Sequence, residues 1–95
     1  MALPKILHEH ATVTVGGEDI DIRSLTRSEV ARLRTLVNDG KPDDAIEIEM
    51  VACGTDTPVD EVRAWYATTP SKAVDQLVTA IRDLSRVDDE AQKSS

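Results

Sequence analysis

Three helix starts, each led by a threonine, constrain the fold of this chain most strongly. Glu29 follows Thr26 by three residues, which is the spacing of a capping box. Thr57-Pro58 and Thr69-Pro70 each place a hydroxyl that can cap a helix directly before a proline suited to the first helical position. Apolar residues at three- and four-residue spacing follow each start. The chain is therefore predicted to be mainly helical.

A segment of alternating polar and apolar residues, 11–22, precedes the helices and is typical of a β-hairpin. Gly16-Gly17 lies at its centre and supplies the positive φ angles that a tight two-residue turn needs. Pairing Val15 with Glu18 puts the apolar side chains of both strands on one face. That register also pairs Val13 with Ile20 and Ala11 with Ile22. Because a lone hairpin is barely stable in water, we expect this face to pack on helices or on another chain.

The first two predicted helices differ in how clearly their sequences mark them. The first follows the capping box, carries Val30, Leu33 and Val37 on one apolar stripe, and ends near Gly40. The second begins after proline and two acidic residues, and Gly54 is expected to end it. Its Ile-Glu-Ile-Glu-Met run would also suit a strand, but the flanking proline, acids and glycine favour a helix.

The last two helices complete a domain that is predicted to be α+β, with about four short helices packed on the hairpin. The third helix follows Thr57-Pro58, and the fourth, over residues 70–86, is the longest. Length favours a single domain over residues 11–86, with an N-terminal arm over residues 1–10 and a polar, flexible tail over residues 87–95. So small a core, with one Trp, one Tyr and no Phe, favours self-association or a partner.

The charge distribution argues against a nucleic-acid partner. The net charge is −7, and the stretch from Asp43 to Glu61 holds seven acidic residues without Lys or Arg. The only basic cluster consists of Arg23, Arg27, Arg32 and Arg34. Two interpretations stay open: a solvated face of mixed charge, or a basic helix that meets the acidic second helix within one subunit or across two.

The residues that could carry chemistry do not form a constellation, so we expect no enzyme activity, no metal and no cofactor. His8 and His10 lack the further ligands of a zinc site, and Asp19 and Asp21 lack the spacing of a calcium loop. Cys53 lies on an apolar stripe, which favours a small core residue over a nucleophile. A single cysteine, no signal-peptide pattern and no run of ~20 apolar residues predict a soluble, cytosolic protein without a membrane partner.

The order of these features resembles the small tail assembly chaperones of long-tailed bacteriophages, especially those of actinobacterial hosts. The segments that carry the resemblance are Ile22 to Glu29, Val51-Ala52-Cys53-Gly54, Thr57 to Trp65, and Thr69-Pro70 with the helix that ends in Ile81 to Ser85. Together they span about residues 11 to 86. These are fold-forming patterns, and no reactive residue is among them.

The resemblance implies a chaperone that binds the tape measure protein and keeps it soluble while tail-tube subunits polymerise around it. Such a chaperone works in the host cytoplasm and is not expected in the mature virion. The family also has longer, frameshifted forms that recruit the tail-tube protein, and the polar end at Ser95 is expected of the short form. A homo-oligomer is expected as well.

Four apolar residues on the third and fourth helices are hypothesised to contribute to the partner-binding surface: Val62, Trp65, Leu77 and Ile81. Each could equally belong to the internal core. The adjacent Trp65 and Tyr66 point about 100° apart on a helix, so one is expected to face the core and the other an edge or a partner. The alternatives are a structural phage protein, such as a connector or decoration protein, and a small acidic regulator or antitoxin-like module.

Overall fold

The computed structural model describes residues 9–85 and confirms the α+β class. A two-stranded antiparallel sheet is followed by four helices. The elements are β1 (His10–Val15), β2 (Glu18–Arg23), α1 (Arg27–Asn38), α2 (Asp43–Thr55), α3 (Val59–Thr68) and α4 (Ser71–Ser85). The predicted tail, most of the predicted arm and the predicted last residue of the fourth helix lie outside the described residues.

The hairpin has the predicted register, with Val15 opposite Glu18 and Val13 opposite Ile20. Gly16-Gly17 makes the turn with φ angles of 59° and 84°, which residues other than glycine rarely adopt. The apolar face of the hairpin lies on α4 and α2, as its instability in isolation requires.

The outer face of the hairpin is polar and is joined across the strands. Thr12 donates its hydroxyl hydrogen to Asp21 at 3.0 Å, and Thr14 donates to Asp19 at 2.7 Å. The carboxylates of both aspartates are therefore hydrogen-bonded within the hairpin.

A single hydrophobic core joins all six elements, and α2 lies at its centre, in contact with β2, α1, α3 and α4. The prediction that Val37 belongs to the buried stripe of α1 is wrong, since its side chain is 58% exposed. Leu36 is partly buried instead and lies near Pro42 and Ala45, because the chain turns there and brings the start of α2 under that side of α1.

The prediction that Gly54 ends α2 is also wrong. The helix continues to Thr55, and Asp56 takes the left-handed conformation at its C-cap, with φ 52° and ψ 42°. Gly54 is buried inside the helix, where a methyl group on its Cα would lie 2.6 Å from Cδ1 of Ile81. The missing side chain therefore allows α2 and α4 to pack closely.

The capping prediction is correct for the first of the three threonines only. Thr26 accepts from the amide of Glu29, and the Glu29 side chain accepts from the amide of Thr26, so the capping box is complete. Before α3, Pro58 itself occupies the N-cap with an extended ψ of 142°, and no side chain caps the helix. Thr57 lies one residue too early and bonds to Thr55 instead.

Thr69 caps the helix before it and not the helix after it. Its hydroxyl donates to the carbonyl of Trp65 in the last turn of α3, and Thr69 is the C-cap residue of that helix. The first amides of α4 bond to the carbonyl of Pro70, which therefore stands at the start of α4. Proline again takes the position that the sequence pattern gives to threonine.

Candidate partner-binding groove

The four residues hypothesised to bind a partner do not share one environment. Val62, Leu77 and Ile81 are almost fully buried, with 2%, 1% and 0% of their surfaces exposed. Trp65 is half-buried on α3. Three of the four, Val62, Trp65 and Leu77, line the same open groove, whereas Ile81 packs in the core against Gly54.

The groove lies between the hairpin and α3 and has a volume of about 240 Å³. Its apolar lining comes from four elements: Ile20 of β2, Val51 of α2, Val62 and Trp65 of α3, and Leu77 of α4. Buried Val51, Val62 and Leu77 form its base, and the half-buried Ile20 and Trp65 form its sides. The groove is therefore apolar at its base and at its sides.

The polar residues at the groove are Thr55, Thr57 and Glu61. The Thr55 hydroxyl lies 2.7 Å from the carbonyl of Val51 and 2.8 Å from the hydroxyl of Thr57, so both hydroxyls are bonded within the chain. Glu61 is exposed at the rim. The groove thus combines an apolar base with a single carboxylate at its edge.

Tyr66 anchors the helix that carries Trp65. Its hydroxyl donates to the Glu47 carboxylate at 2.7 Å, which ties α3 to α2. This hydrogen bond to an anion, together with burial, raises the pKa of Tyr66 to about 12. Both aromatic side chains are half-buried against the core, and Trp65 is the one that lines the groove.

An ion-pair cluster joins β2 to α1 and to the end of α2. Arg23 donates to Glu29 at 2.8 Å and to Asp56 at 2.9 Å. The hydrogen bond from Arg23 lowers the pKa of Glu29 to about 2, and the same pairing raises the pKa of Arg23. Arg32 and Glu49 add a second contact between α1 and α2 at 3.4 Å. Of the basic cluster, Arg32 on α1 therefore pairs with α2, and Arg23 on β2 pairs with α1 and with the C-cap of α2, within one subunit.

The remaining candidates for chemistry are held by neighbours or lie at the surface. Cys53 is half-buried against the core, and burial, followed by the nearby Glu29 carboxylate, raises the pKa of its thiol. His10 is exposed on β1, and His8 lies outside the described residues.

Within residues 9–85 no three His, Cys, Asp or Glu side chains lie close enough together to hold a metal ion. In the same range no helix has the length and apolar character that crossing a bilayer requires.

The sequence pattern does not single out Ile20 or Val51 as groove residues. The signal that could find Ile20 is its place on the apolar face of the hairpin, beyond the more deeply buried Val15 and Ile22. No such signal exists for Val51, because its position in the groove depends on how α2, α3 and α4 are arranged.

No protein-family model, curated protein or solved structure matches this chain.

Proposed function

We propose that this protein is a phage tail assembly chaperone that binds the tape measure protein and keeps it soluble while tail-tube subunits polymerise around it. The observation that carries the proposal is the open apolar groove beside Trp65. Grooves of this kind accept one or two anchoring side chains from the apolar face of an amphipathic helix.

The size of the groove favours a protein partner over a small-molecule ligand. Its volume of about 240 Å³ is below the range of roughly 300–1,000 Å³ that is typical of small-molecule sites. One shallow groove binds one anchor weakly, but many chaperone copies along one long client make the coverage strong. A client with repeated helical faces, such as the tape measure protein, suits this arrangement.

The charge of the chain supports the same role. A net charge of −7 on 95 residues keeps a chaperone and its bound client in solution through mutual repulsion between complexes. The proposal extends to a tail-tube partner that a longer form of the protein would recruit.

Co-expression with the tape measure protein of the same phage tests the proposal. We expect the wild-type chain to keep the client in the soluble fraction and Trp65→Ala to lose most of that effect, because the variant removes one side of the groove. Val59→Ala is the control, since this apolar residue is also half-buried on α3 but does not line the groove. Circular dichroism of both variants checks that they are folded.

A folded Trp65→Ala variant that solubilises the client as well as wild type would contradict the groove assignment. Ile81 is unsuitable for this test, because its full burial means that a charged substitution would unfold the domain. Mass spectrometry of purified virions adds a second test. A connector or decoration protein would be found in the particles, whereas a chaperone would be absent.

A further inference from the structure

The outer edge of β1 carries backbone groups that are unpaired within residues 9–85. In an antiparallel ladder, hydrogen-bonded and non-hydrogen-bonded residue pairs alternate. The amide of Ser24 donates to the carbonyl of Glu9 at 2.8 Å, so the odd-numbered residues of β1 point their backbone groups at β2. The N–H and C=O groups of His10, Thr12 and Thr14 therefore point away from β2, which is the only strand that pairs with β1 within the described residues.

The two edges of the sheet differ in charge. The sequence of β1, His-Ala-Thr-Val-Thr-Val, contains no Asp, Glu, Lys, Arg or Pro and has no bulge in its pairing. The sequence of β2 contains Glu18, Asp19, Asp21 and Arg23. Edge strands of monomeric proteins are commonly protected from pairing by charges, prolines or bulges. The β2 edge has such protection, and the β1 edge does not.

We propose that β1 is a dimerisation edge, where it pairs antiparallel with β1 of a second copy to form a continuous four-stranded sheet. A second copy suits the edge because two uncharged β1 strands meet without repulsion, whereas two acidic β2 strands would repel each other. An antiparallel pair of identical strands is also isologous and closes as a two-fold dimer. This inference does not depend on the proposed function.

The side-chain pattern of β1 agrees with this pairing. The outward-pointing residues are all even-numbered, so one allowed register sets Thr12 opposite Thr14 of the second copy and places Val13 on the two-fold axis. In that register the polar faces join on one side of the sheet and the apolar faces on the other. Ala11 and Val13, which are only partly buried in one copy, are then covered by the second copy.

Sedimentation equilibrium of the full chain tests the proposal. We expect wild type to have twice the mass of the 10.4 kDa chain at micromolar concentration. Thr12→Pro removes an outward-pointing amide and should raise the dissociation constant of the dimer at least tenfold. Asp21→Pro is the matched control, because it also removes an outward-pointing amide and breaks the same Thr12–Asp21 hydrogen bond, but on the β2 edge. It should leave the dimer intact.

A second variant guards against misfolding of the proline substitution. In the double variant Thr12→Lys/Thr14→Lys, each lysine lies opposite Asp21 or Asp19 within its own hairpin, which supports the fold. Across the two-fold axis, the lysines of the two copies meet. We expect a folded monomer at low salt.

Amide hydrogen exchange identifies the surface that is used. In the wild-type dimer the amides of Thr12 and Thr14 should exchange at least tenfold more slowly than those of Asp19 and Asp21, which point outward on the other edge. A wild-type monomer at every concentration overturns the proposal, and so does equal weakening by the two proline variants. A dimer in which all four amides exchange alike places the contact elsewhere and overturns it too. Protection of Thr12 and Thr14 only after a client is added would assign the edge to a client strand, against the proposal.

Discussion

Single residues in this protein fix distances that no helical pattern would set. Gly54 lets α2 approach α4 because Ile81 occupies the volume that a side chain would need. Asp56 ends α2 in a left-handed conformation that residues other than glycine seldom adopt, and its carboxylate bonds to Arg23. Each residue has a locally unfavourable backbone position, Gly54 inside a helix and Asp56 at positive φ, and each makes possible a contact between two elements.

Gly54→Ala should destabilise the domain by about 1–3 kcal/mol, the usual cost of overpacking a core. The gain in helix propensity, roughly 1 kcal/mol, offsets only part of this, because the new methyl meets three atoms of Ile81 at 2.6–2.9 Å. Urea unfolding in wild-type and Ile81→Val backgrounds checks the cause. The cost should shrink when the nearest atom, Cδ1, is removed, and an equal cost in both backgrounds would contradict this explanation.

The ion pair of Glu29 should make stability depend on pH in the acid range. The pKa of Glu29 falls from 4.5 to about 2 in the folded state. The ion pair therefore stabilises the fold fully at pH values above 4.5, and this stabilisation is lost as the pH falls toward 2. Allowing for screening of this partly exposed pair, we expect roughly 2 kcal/mol. Glu29→Gln should be less stable than wild type at neutral pH by this amount, and the difference should vanish near pH 2.

Urea unfolding at several pH values measures this difference. Asp60→Asn is a suitable control, because Asp60 is also a first-turn carboxylate paired with an arginine but its side chain is 97% exposed. If Asp60→Asn changes the dependence of the unfolding free energy on acid pH as much as Glu29→Gln does, the ion pair with Arg23 is not the source of that dependence.

At the scale of elements, the parts of the fold that depend on near neighbours could be predicted from the sequence. The register of the hairpin follows from Gly16-Gly17 and strict alternation, and the start of α1 follows from the spacing of Thr26 and Glu29. The prediction for Gly54 is wrong because a glycine near a helix end has the same pattern whether it caps the helix or admits a neighbour.

The groove could be predicted only in part, for a related physical reason. Periodicity shows which face of a helix is apolar, but it does not show which apolar residues of a buried face stay open to a partner. Trp65 and Val62 therefore appear among the predicted residues together with Ile81, which is fully buried. The distinction depends on where the hairpin stops covering the helices, and this is set by contacts distant in sequence.

The capping box of α1 should contribute measurably to stability. Thr26→Ala removes the hydroxyl that accepts from the Glu29 amide, and such substitutions cost about 1 kcal/mol. Ser28→Ala removes an exposed hydroxyl from the first turn of the same helix and should cost less than about 0.5 kcal/mol. Thermal unfolding of both variants compares them directly. Equal losses would show that the cap is not the relevant interaction.

At the scale of the molecule, one core joins the hairpin and the four helices, so no element has a separate interior. The amide of Leu25 bonds to the hydroxyl of Ser85, a contact that spans 60 residues of the chain. The four most buried residues of α4, which packs against α2 and both strands, are Val74, Leu77, Val78 and Ile81.

The domain should therefore unfold in one cooperative step. Fluorescence of Trp65, which is the only tryptophan and lies at the groove, should report the same transition as the far-ultraviolet circular dichroism of the helices. The comparison must be made at fixed protein concentration, since self-association would shift both midpoints together. A tryptophan transition that precedes the loss of helix would show that α3 opens separately.

The late position of α4 in the chain has a consequence for biosynthesis. While the protein is being translated, the hairpin and the first three helices emerge before α4, the helix that covers α2 and both strands. Until the residues through Ser85 have left the ribosome, the nascent chain exposes the apolar sides of α2 and the hairpin to solvent. The domain therefore cannot close its core before α4 has emerged, and a truncated product that lacks α4 would be a substrate for proteases.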